Sequence, residues 1–131
     1  MMIRTNNKFI SFARKFKYAF RGLFVAVREE KSLMVDLIFS VVVLIIAAVI
    51  NDRMQTIDWI ILTMVISLVI GMELINTAIE NLVDTISFKY NVDASKIKDT
   101  AAATALVFSL MAIIVGLLIF IPKFIDIFNN R

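Results

Sequence analysis

The stretch AAATALVFSLMAIIVGLLIFI, residues 101–121, decides the fold because it contains no charged residue. A helix that crosses the hydrocarbon core of a bilayer needs about 20 mostly apolar residues. Residues 101–121 therefore predict a membrane-spanning helix, and we expect Pro122 and Lys123 to terminate it.

Two further apolar segments precede this span. Residues 33–50 predict the first span, with Asp36 expected close to the membrane interface and a polar Asn-Asp-Arg stretch following at 51–53. Residues 57–84 predict the second span, which is apolar up to Met72 and then continues as a helix through a polar half. The chain is therefore expected to cross the membrane three times.

The composition of the whole chain supports a membrane protein. Of its 131 residues, 60% are hydrophobic and only 19% are charged, whereas a soluble domain has about 45–50% apolar and about 25% charged residues.

The absence of cysteine and histidine excludes disulfides, structural zinc and haem. A metal here would be a hard ion held by carboxylates, such as Mg²⁺. The three glycines are isolated, which excludes a P-loop and a dinucleotide fingerprint.

Residues 7–30 predict an amphipathic helix that lies in the membrane interface. Apolar residues recur three or four positions apart, while the cations lie mainly off this stripe, a pattern typical of interfacial helices. The apolar residues are Phe9, Phe12, Ala13, Phe16, Phe20, Leu23, Phe24 and Val27. Nucleic-acid binding is the competing interpretation of this basic segment, and the membrane-embedded remainder of the chain argues against it.

The distribution of lysine and arginine predicts the topology. If the N-terminus is cytoplasmic, residues 1–32 and 85–99 place eight and three of the 14 basic residues in the cytoplasm, and three lie outside. This asymmetry follows the positive-inside rule. We therefore expect a multi-pass membrane protein with its N-terminus and the polar half of the second span at the cytoplasmic face, where ATP is available.

Four polar residues share one face of the second span. Glu73, Asn76, Glu80 and Asp84 are separated by three, four and four positions, which aligns them on a helix. Glu73 and Glu80 lie about 10 Å apart along the helix axis. Ionisable residues at membrane depth are costly and mark functional sites by default. We call these four residues the acid ladder.

Three alternatives compete with a catalytic role for the acid ladder. Its acids could be solvated among headgroups, which is most plausible for Asp84 alone. A proton-coupled transporter would also place a glutamate within a span, but it would not need a ladder that leads to a loop containing Lys98 and Asp99. The third alternative is a small non-enzymatic membrane protein, such as a holin or a channel subunit. Such a protein would not need Glu30, Glu73, Glu80 and Lys98 together.

These residue types suit phosphoryl transfer. Glu30 and Glu80 can hold Mg²⁺ against the phosphates of ATP. Glu73, the most deeply placed acid, can accept the proton of an attacking lipid hydroxyl, and Lys98 can neutralise charge on the transferred group.

The sequence resembles the small bacterial diacylglycerol kinase and undecaprenol kinase family of three-span membrane enzymes. The matching stretches cover nearly the whole chain. They are Tyr18-Ala-Phe-Arg-Gly22-Leu, Glu29-Glu30, Glu73-Leu-Ile-Asn76-Thr-Ala-Ile-Glu80-Asn-Leu-Val-Asp84 and Lys98-Asp99-Thr-Ala-Ala.

The resemblance implies an all-α membrane protein with one domain over residues 1–131, made of an N-terminal interfacial amphipathic helix and three transmembrane helices. It implies Glu73 as the proton acceptor and Asn76 as an active-site amide. It also implies Glu30 and Glu80 as the metal-binding pair. The implied nucleotide contacts are Tyr18, Phe88, Lys89, Tyr90, Lys98 and Asp99.

The resemblance also bears on substrate and assembly. The stretches 28–31 and 116–123 look like the Gram-positive branch, which favours undecaprenol over diacylglycerol as the lipid alcohol. The sequence departs from the family pattern after Glu30 and after Asp99, and these departures affect substrate contacts more than the core chemistry. Three helices cannot enclose the acid ladder and exclude lipid from it, so we expect a homo-oligomer, and the family implies a homotrimer.

Overall fold

The computed structural model describes the backbone over residues 3–86 and 92–129, and the side chains from Phe12 onward within those ranges. The helices are α1 (Ile3–Glu29), α2 (Lys31–Val49), α3 (Thr56–Ile86) and α4 (Val92–Asn129), with a 3₁₀ turn at Asn51–Arg53 between α2 and α3. Because α2, α3 and α4 are each long and apolar enough to cross a membrane, the predicted architecture of an N-terminal helix followed by three spans is confirmed.

A single residue, Glu30, separates α1 from α2. Its backbone is extended, with φ −103° and ψ 114°. The Glu30 N–H donates to the Ala26 carbonyl at 2.8 Å, and the Glu30 carbonyl accepts the Met34 N–H at 3.2 Å. One residue therefore closes α1 and opens α2, which places Glu30 at the corner between the N-terminal helix and the first span.

The start of α3 is capped by its own sequence. The Gln55 N–H donates to Asp58 Oδ2 at 2.8 Å, and the Asp58 N–H donates to the Gln55 carbonyl at 3.0 Å. This reciprocal pair satisfies two backbone groups that a helix terminus otherwise leaves unpaired. Trp59 Nε1 donates to Asn51 Oδ1 at 3.3 Å, which ties the helix start to the preceding turn.

The helix that carries the third span does not end at Pro122, as the sequence led us to expect, but continues to Asn129. Proline removes one helical hydrogen bond and crowds the preceding turn. The residues beyond it are held by ion pairs to distant parts of the chain. Lys123 Nζ lies 2.8 Å from Asp58 Oδ2, and Arg53 pairs with Asp126. These contacts hold the extension in place.

Packing is strongest between α3 and α4 and divides into two ends. The turn end, which carries Asn51–Arg53 and the Asp58–Lys123 pair, has an apolar core of Ala47, Leu62 and Ile119. The opposite end carries the acid ladder, and we call it the acid end. There Ala101 and Ala105, one helical turn apart, are buried. Small residues at such positions let helices approach closely in membranes.

Most of the surface of each span faces away from the chain. Only 11%, 28% and 11% of the residues in the apolar windows of α2, α3 and α4 are buried within it. On α1, Phe12, Phe16, Phe20 and Phe24 are also exposed. These apolar surfaces agree with a chain whose remaining surroundings are lipid or further protein subunits.

Candidate active site

The acid ladder begins in the interior of the helix bundle. Glu73, Asn76 and the neighbouring Thr77 are only 7%, 8% and 6% exposed. Farther along the same helix Glu80 is partly buried and Asp84 is exposed. The ladder therefore leads from a buried carboxylate to an exposed one, and the sequence spacing correctly predicted that these groups share a face.

The helices α2, α3 and α4 line an open cleft of about 390 Å³ beside the first three residues of the ladder, and we call it the acid cleft. Its polar lining comes from α2 and α3, and its apolar wall is made mainly by small residues of α4. The lining residues are Ser32, Asp36, Glu73, Asn76, Glu80, Ala102, Ala105, Leu106 and Ser109. The cleft combines carboxylates with an apolar wall, which suits a ligand with a polar head and an apolar tail.

The hydrogen bonds of Asn76 leave one group without a partner. Its Nδ2 donates to Glu80 Oε1 at 3.2 Å, which orients the Glu80 carboxylate. Its Oδ1 is buried and accepts no hydrogen bond from any described residue. A buried acceptor without a donor costs roughly 1–3 kcal/mol. The acid cleft therefore offers an acceptor to a donor that a ligand or solvent brings.

Asp36 is the main site residue that the sequence analysis missed. It was expected only near the membrane interface, but it lines the acid cleft with Glu73. The sequence did offer a signal, because Asp36 lies between the apolar residues Val35 and Leu37 of a span. An acid in such a position usually has a function.

A second cleft of about 480 Å³ lies between α1 and α3, and we call it the α1–α3 cleft. It is lined by Tyr18, Arg21, Gly22, Val25, Ala26, Glu29, Glu30, Leu74, Thr77, Ala78 and Asn81. It brings the predicted nucleotide contact Tyr18 together with Glu30, and it adds the cation Arg21. The two clefts share no lining residue and use two different faces of α3.

The predicted metal pair is divided between these clefts. Glu30 lines the α1–α3 cleft, and Glu80 lines the acid cleft. Among the described side chains, those of residues 12–86 and 92–129, no three His, Cys, Asp or Glu groups come together in a way that could hold a metal ion. Mg²⁺ usually takes only one or two protein carboxylates and completes its shell with substrate phosphates and waters. A single chain therefore supplies the expected donor type without bringing both carboxylates into one cleft.

Lys98 is engaged by the last acid of the ladder. Its Nζ lies 2.8 Å from Asp84 Oδ1 and 3.1 Å from Asp84 Oδ2, and the hydrogen bond to Asp84 raises the pKa of Lys98. Asp99 is exposed on α4. The remaining predicted nucleotide contacts, Phe88, Lys89 and Tyr90, lie outside the described residues.

A comparison with known protein families identifies the family of this chain. The sequence profile described as prokaryotic diacylglycerol kinase matches residues 17–120. The chain belongs to the prokaryotic diacylglycerol kinase family. It is therefore a lipid kinase, and membership of a kinase family implies ATP as the phosphoryl donor.

Two curated relatives of the prokaryotic diacylglycerol kinase family differ in their named lipid. The undecaprenol kinase of Bacillus subtilis (strain 168) is 35% identical over 117 residues, which cover 89% of this chain and 94% of that protein. A diacylglycerol kinase of Synechocystis sp. is 29% identical over 113 residues, which cover 86% of this chain and 63% of that protein. The resemblance seen in the sequence is thereby confirmed.

Proposed function

We propose that this chain transfers the γ-phosphoryl group of ATP to the hydroxyl of undecaprenol, forming undecaprenyl phosphate and ADP. The observation that carries this proposal is the acid cleft, which combines the buried Glu73 carboxylate and an unpaired Asn76 oxygen with an apolar wall. The relative from Bacillus subtilis supports undecaprenol. Diacylglycerol is the second candidate, and the family description and the Synechocystis relative favour it.

In this proposal Glu73 acts as the general base. The lipid hydroxyl oxygen attacks the γ-phosphorus, the bond from that phosphorus to the bridging oxygen breaks, and the hydroxyl proton passes to the Glu73 carboxylate. Asn76 Nδ2 orients Glu80 through the 3.2 Å hydrogen bond. The apolar tail of the bound lipid, lying against the apolar wall, would displace water that otherwise competes for the phosphoryl group.

The nucleotide is proposed to contact both α1 and the start of α4. Tyr18 lines the α1–α3 cleft, and Lys98 and Asp99 lie on α4. Lys98 would neutralise charge on the transferred phosphoryl group. The proposed contacts of Phe88, Lys89 and Tyr90 stay predictions from the sequence.

Glu30 and Glu80 are proposed to hold Mg²⁺ with the phosphates of ATP. Both are oxygen donors, and a chain without histidine or cysteine offers the hard ligands that Mg²⁺ prefers. When bound, Mg²⁺ supplies positive charge against the β- and γ-phosphates.

We propose that the active unit is a homotrimer with active sites between subunits. Two observations support an assembly: Glu30 and Glu80 line different clefts of one chain, and most of each span faces outward. In a trimer, α1 of one subunit would close the site on α3 of another. Mixing Glu73→Gln subunits with Glu30→Ala subunits should then restore activity in some exchanged oligomers. If fully exchanged mixtures stay as inactive as their parents, each site lies within one chain.

We also propose that the N-terminus and the acid end face the cytoplasm of the bacterial cell. The chain contains no cysteine, so single cysteines can be introduced for labelling. In intact cells a membrane-impermeant maleimide should label Asp52→Cys and leave Thr85→Cys unlabelled until the cells are permeabilised. The reverse pattern would invert the topology.

The choice of lipid is tested with the purified protein in mixed micelles. Undecaprenol and diacylglycerol are supplied at matched mole fractions with Mg²⁺ and radiolabelled ATP, and Glu73→Gln protein controls for contaminating kinases. We expect kcat/KM for undecaprenol to exceed that for diacylglycerol by at least about tenfold. A preference for diacylglycerol would decide for the second candidate, and no transfer to either lipid would overturn the proposed function.

A further inference from the structure

The Asp84–Lys98 contact joins the end of the acid ladder to the start of α4. Both Asp84 oxygens lie within hydrogen-bond distance of the Lys98 ammonium, at 2.8 and 3.1 Å. Asp84 follows Glu80 by four residues, so its Cα lies about 6 Å farther along the α3 axis. The contact therefore holds a cation one helical turn from a carboxylate of the acid cleft.

Stability alone does not explain this ion pair. The Asp84 side chain is largely exposed and that of Lys98 is one-third exposed. Solvent-exposed pairs contribute little to folding because water and salt screen them and the long lysine side chain loses rotamer freedom. Lys98 could extend into solvent, but in this structure its ammonium lies against Asp84 on α3.

The ammonium group retains donors for a further ligand. A lysine has three N–H donors, and a carboxylate on one side of the nitrogen leaves the other side open to a phosphate oxygen. A cation already held in place loses less conformational freedom when the phosphate binds, which strengthens binding. The pair also offsets the charge of Asp84, which would otherwise repel a polyphosphate at an end already carrying Glu73 and Glu80.

Resting on the proposed function, we propose that Asp84 is a positioning residue that holds the Lys98 ammonium beside the acid cleft for the phosphates of the nucleotide. Asp84 touches neither the lipid nor the reacting atoms. Its effect is exerted through Lys98, and this separates it from the other acids of the ladder.

The first test measures nucleotide affinity without turnover. The dissociation constant of a non-hydrolysable ATP analogue with Mg²⁺ is determined by equilibrium dialysis of the full-length protein in lipid micelles. Asp84→Asn should weaken binding about tenfold, because the Lys98 ammonium is no longer held by a carboxylate. Asp84→Glu should recover part of this loss. An unchanged or tighter affinity in Asp84→Asn would overturn the proposal, and a tighter one would show that Asp84 competes with the nucleotide for Lys98.

A double-mutant cycle shows whether Asp84 acts through Lys98. In a Lys98→Met background, adding Asp84→Asn should change the dissociation constant less than about twofold, because no ammonium is left to position. An undiminished effect would overturn the proposal. Asp52→Asn is the matched control, since Asp52 is an exposed acid beside Arg53 at the turn end and should leave nucleotide affinity unchanged.

Turnover separates this inference from the proposed function. In Asp84→Asn, KM for ATP should rise in parallel with the dissociation constant, while KM for the lipid stays within about twofold of the wild-type value. A rise in the lipid KM alone would overturn the positioning role. If the wild-type protein phosphorylates no lipid alcohol, the proposed function fails, and the dialysis result still decides whether Asp84 positions Lys98.

Discussion

The two ends of this helix bundle treat polar groups in opposite ways. At the turn end, Lys123 and Asp58 pair at 2.8 Å with side chains only 16% and 13% exposed, and Asp58 also accepts the Gln55 N–H. At the acid end, Glu73 is buried and lines the acid cleft, and Asn76 Oδ1 is buried and accepts no hydrogen bond from a described residue. The buried charges of the turn end are paired within the chain, whereas the acid cleft keeps a buried amide oxygen that no described residue pairs.

This difference suggests that the turn end serves the stability of the fold and the acid end serves its activity. A paired, partly buried charge holds helices together, and breaking the pair is costly. An unpaired buried acceptor such as Asn76 Oδ1 costs stability, and a protein retains such a group where its chemistry needs it. Substitutions at the turn end should therefore change stability, and substitutions at the acid end should change activity.

The largest expected effect is that of Glu73→Gln. The amide keeps the shape of the side chain but cannot accept the hydroxyl proton, so kcat should fall about 10²–10⁴-fold. Nucleotide affinity and resistance to unfolding by detergent should stay close to wild type. A variant that retains more than about a tenth of the wild-type rate would remove Glu73 from the role of general base.

Lys98→Met should reduce phosphoryl transfer by about 10²–10³-fold, the usual consequence of losing one group that stabilises transition-state charge. The expected loss appears in kcat and in KM for ATP, while KM for the lipid changes little. Steady-state kinetics with each substrate varied in turn makes the measurement. Normal turnover would reduce Lys98 to a topology-determining charge.

Glu30→Ala and Glu80→Ala test the divided metal pair. Each should weaken the use of Mg-ATP by about 10–100-fold, and raised Mg²⁺ should partly restore the rate. The measurement is the apparent Mg²⁺ dependence of kcat/KM at fixed ATP. Glu29→Gln is a useful comparison, because Glu29 lies next to Glu30 and lines the same cleft. Wild-type Mg²⁺ dependence in either alanine variant would remove that residue from the metal site.

At the turn end, Lys123→Met should lower the free energy of unfolding by about 2–3 kcal/mol, because Asp58 is left without its cation. Turnover at a temperature where the variant is folded should stay within about twofold of wild type. Unfolding is followed by titration with denaturing detergent. Asp52→Asn, which alters an exposed pair with Arg53, is the control and should leave stability unchanged.

The sequence predicted the spans and the ladder because both depend on local periodicity. The three spans were predicted from the length of their uncharged apolar segments. The acid ladder was predicted because its residues are separated by three, four and four positions, which places them on one face of α3. Neither inference required knowledge of how the helices pack.

The features that the sequence missed depend on packing between distant segments. Asp36 enters the acid cleft only because α2 lies against α3. The helix continues past Pro122 because Lys123 and Asp126 find partners far away in the chain. The proposed joint metal site of Glu30 and Glu80 depends on contacts between subunits, which periodicity within one chain does not encode.

The most direct test of the contrast between the two ends measures transfer and stability in the same two variants. For Glu73→Gln and Lys123→Met, phosphate transfer from ATP to lipid and unfolding by detergent are measured under identical conditions. We predict that Glu73→Gln loses transfer and keeps its stability, while Lys123→Met loses stability and keeps its transfer rate in the folded state. If both variants lose both properties together, the two ends are not functionally separate and the account is wrong.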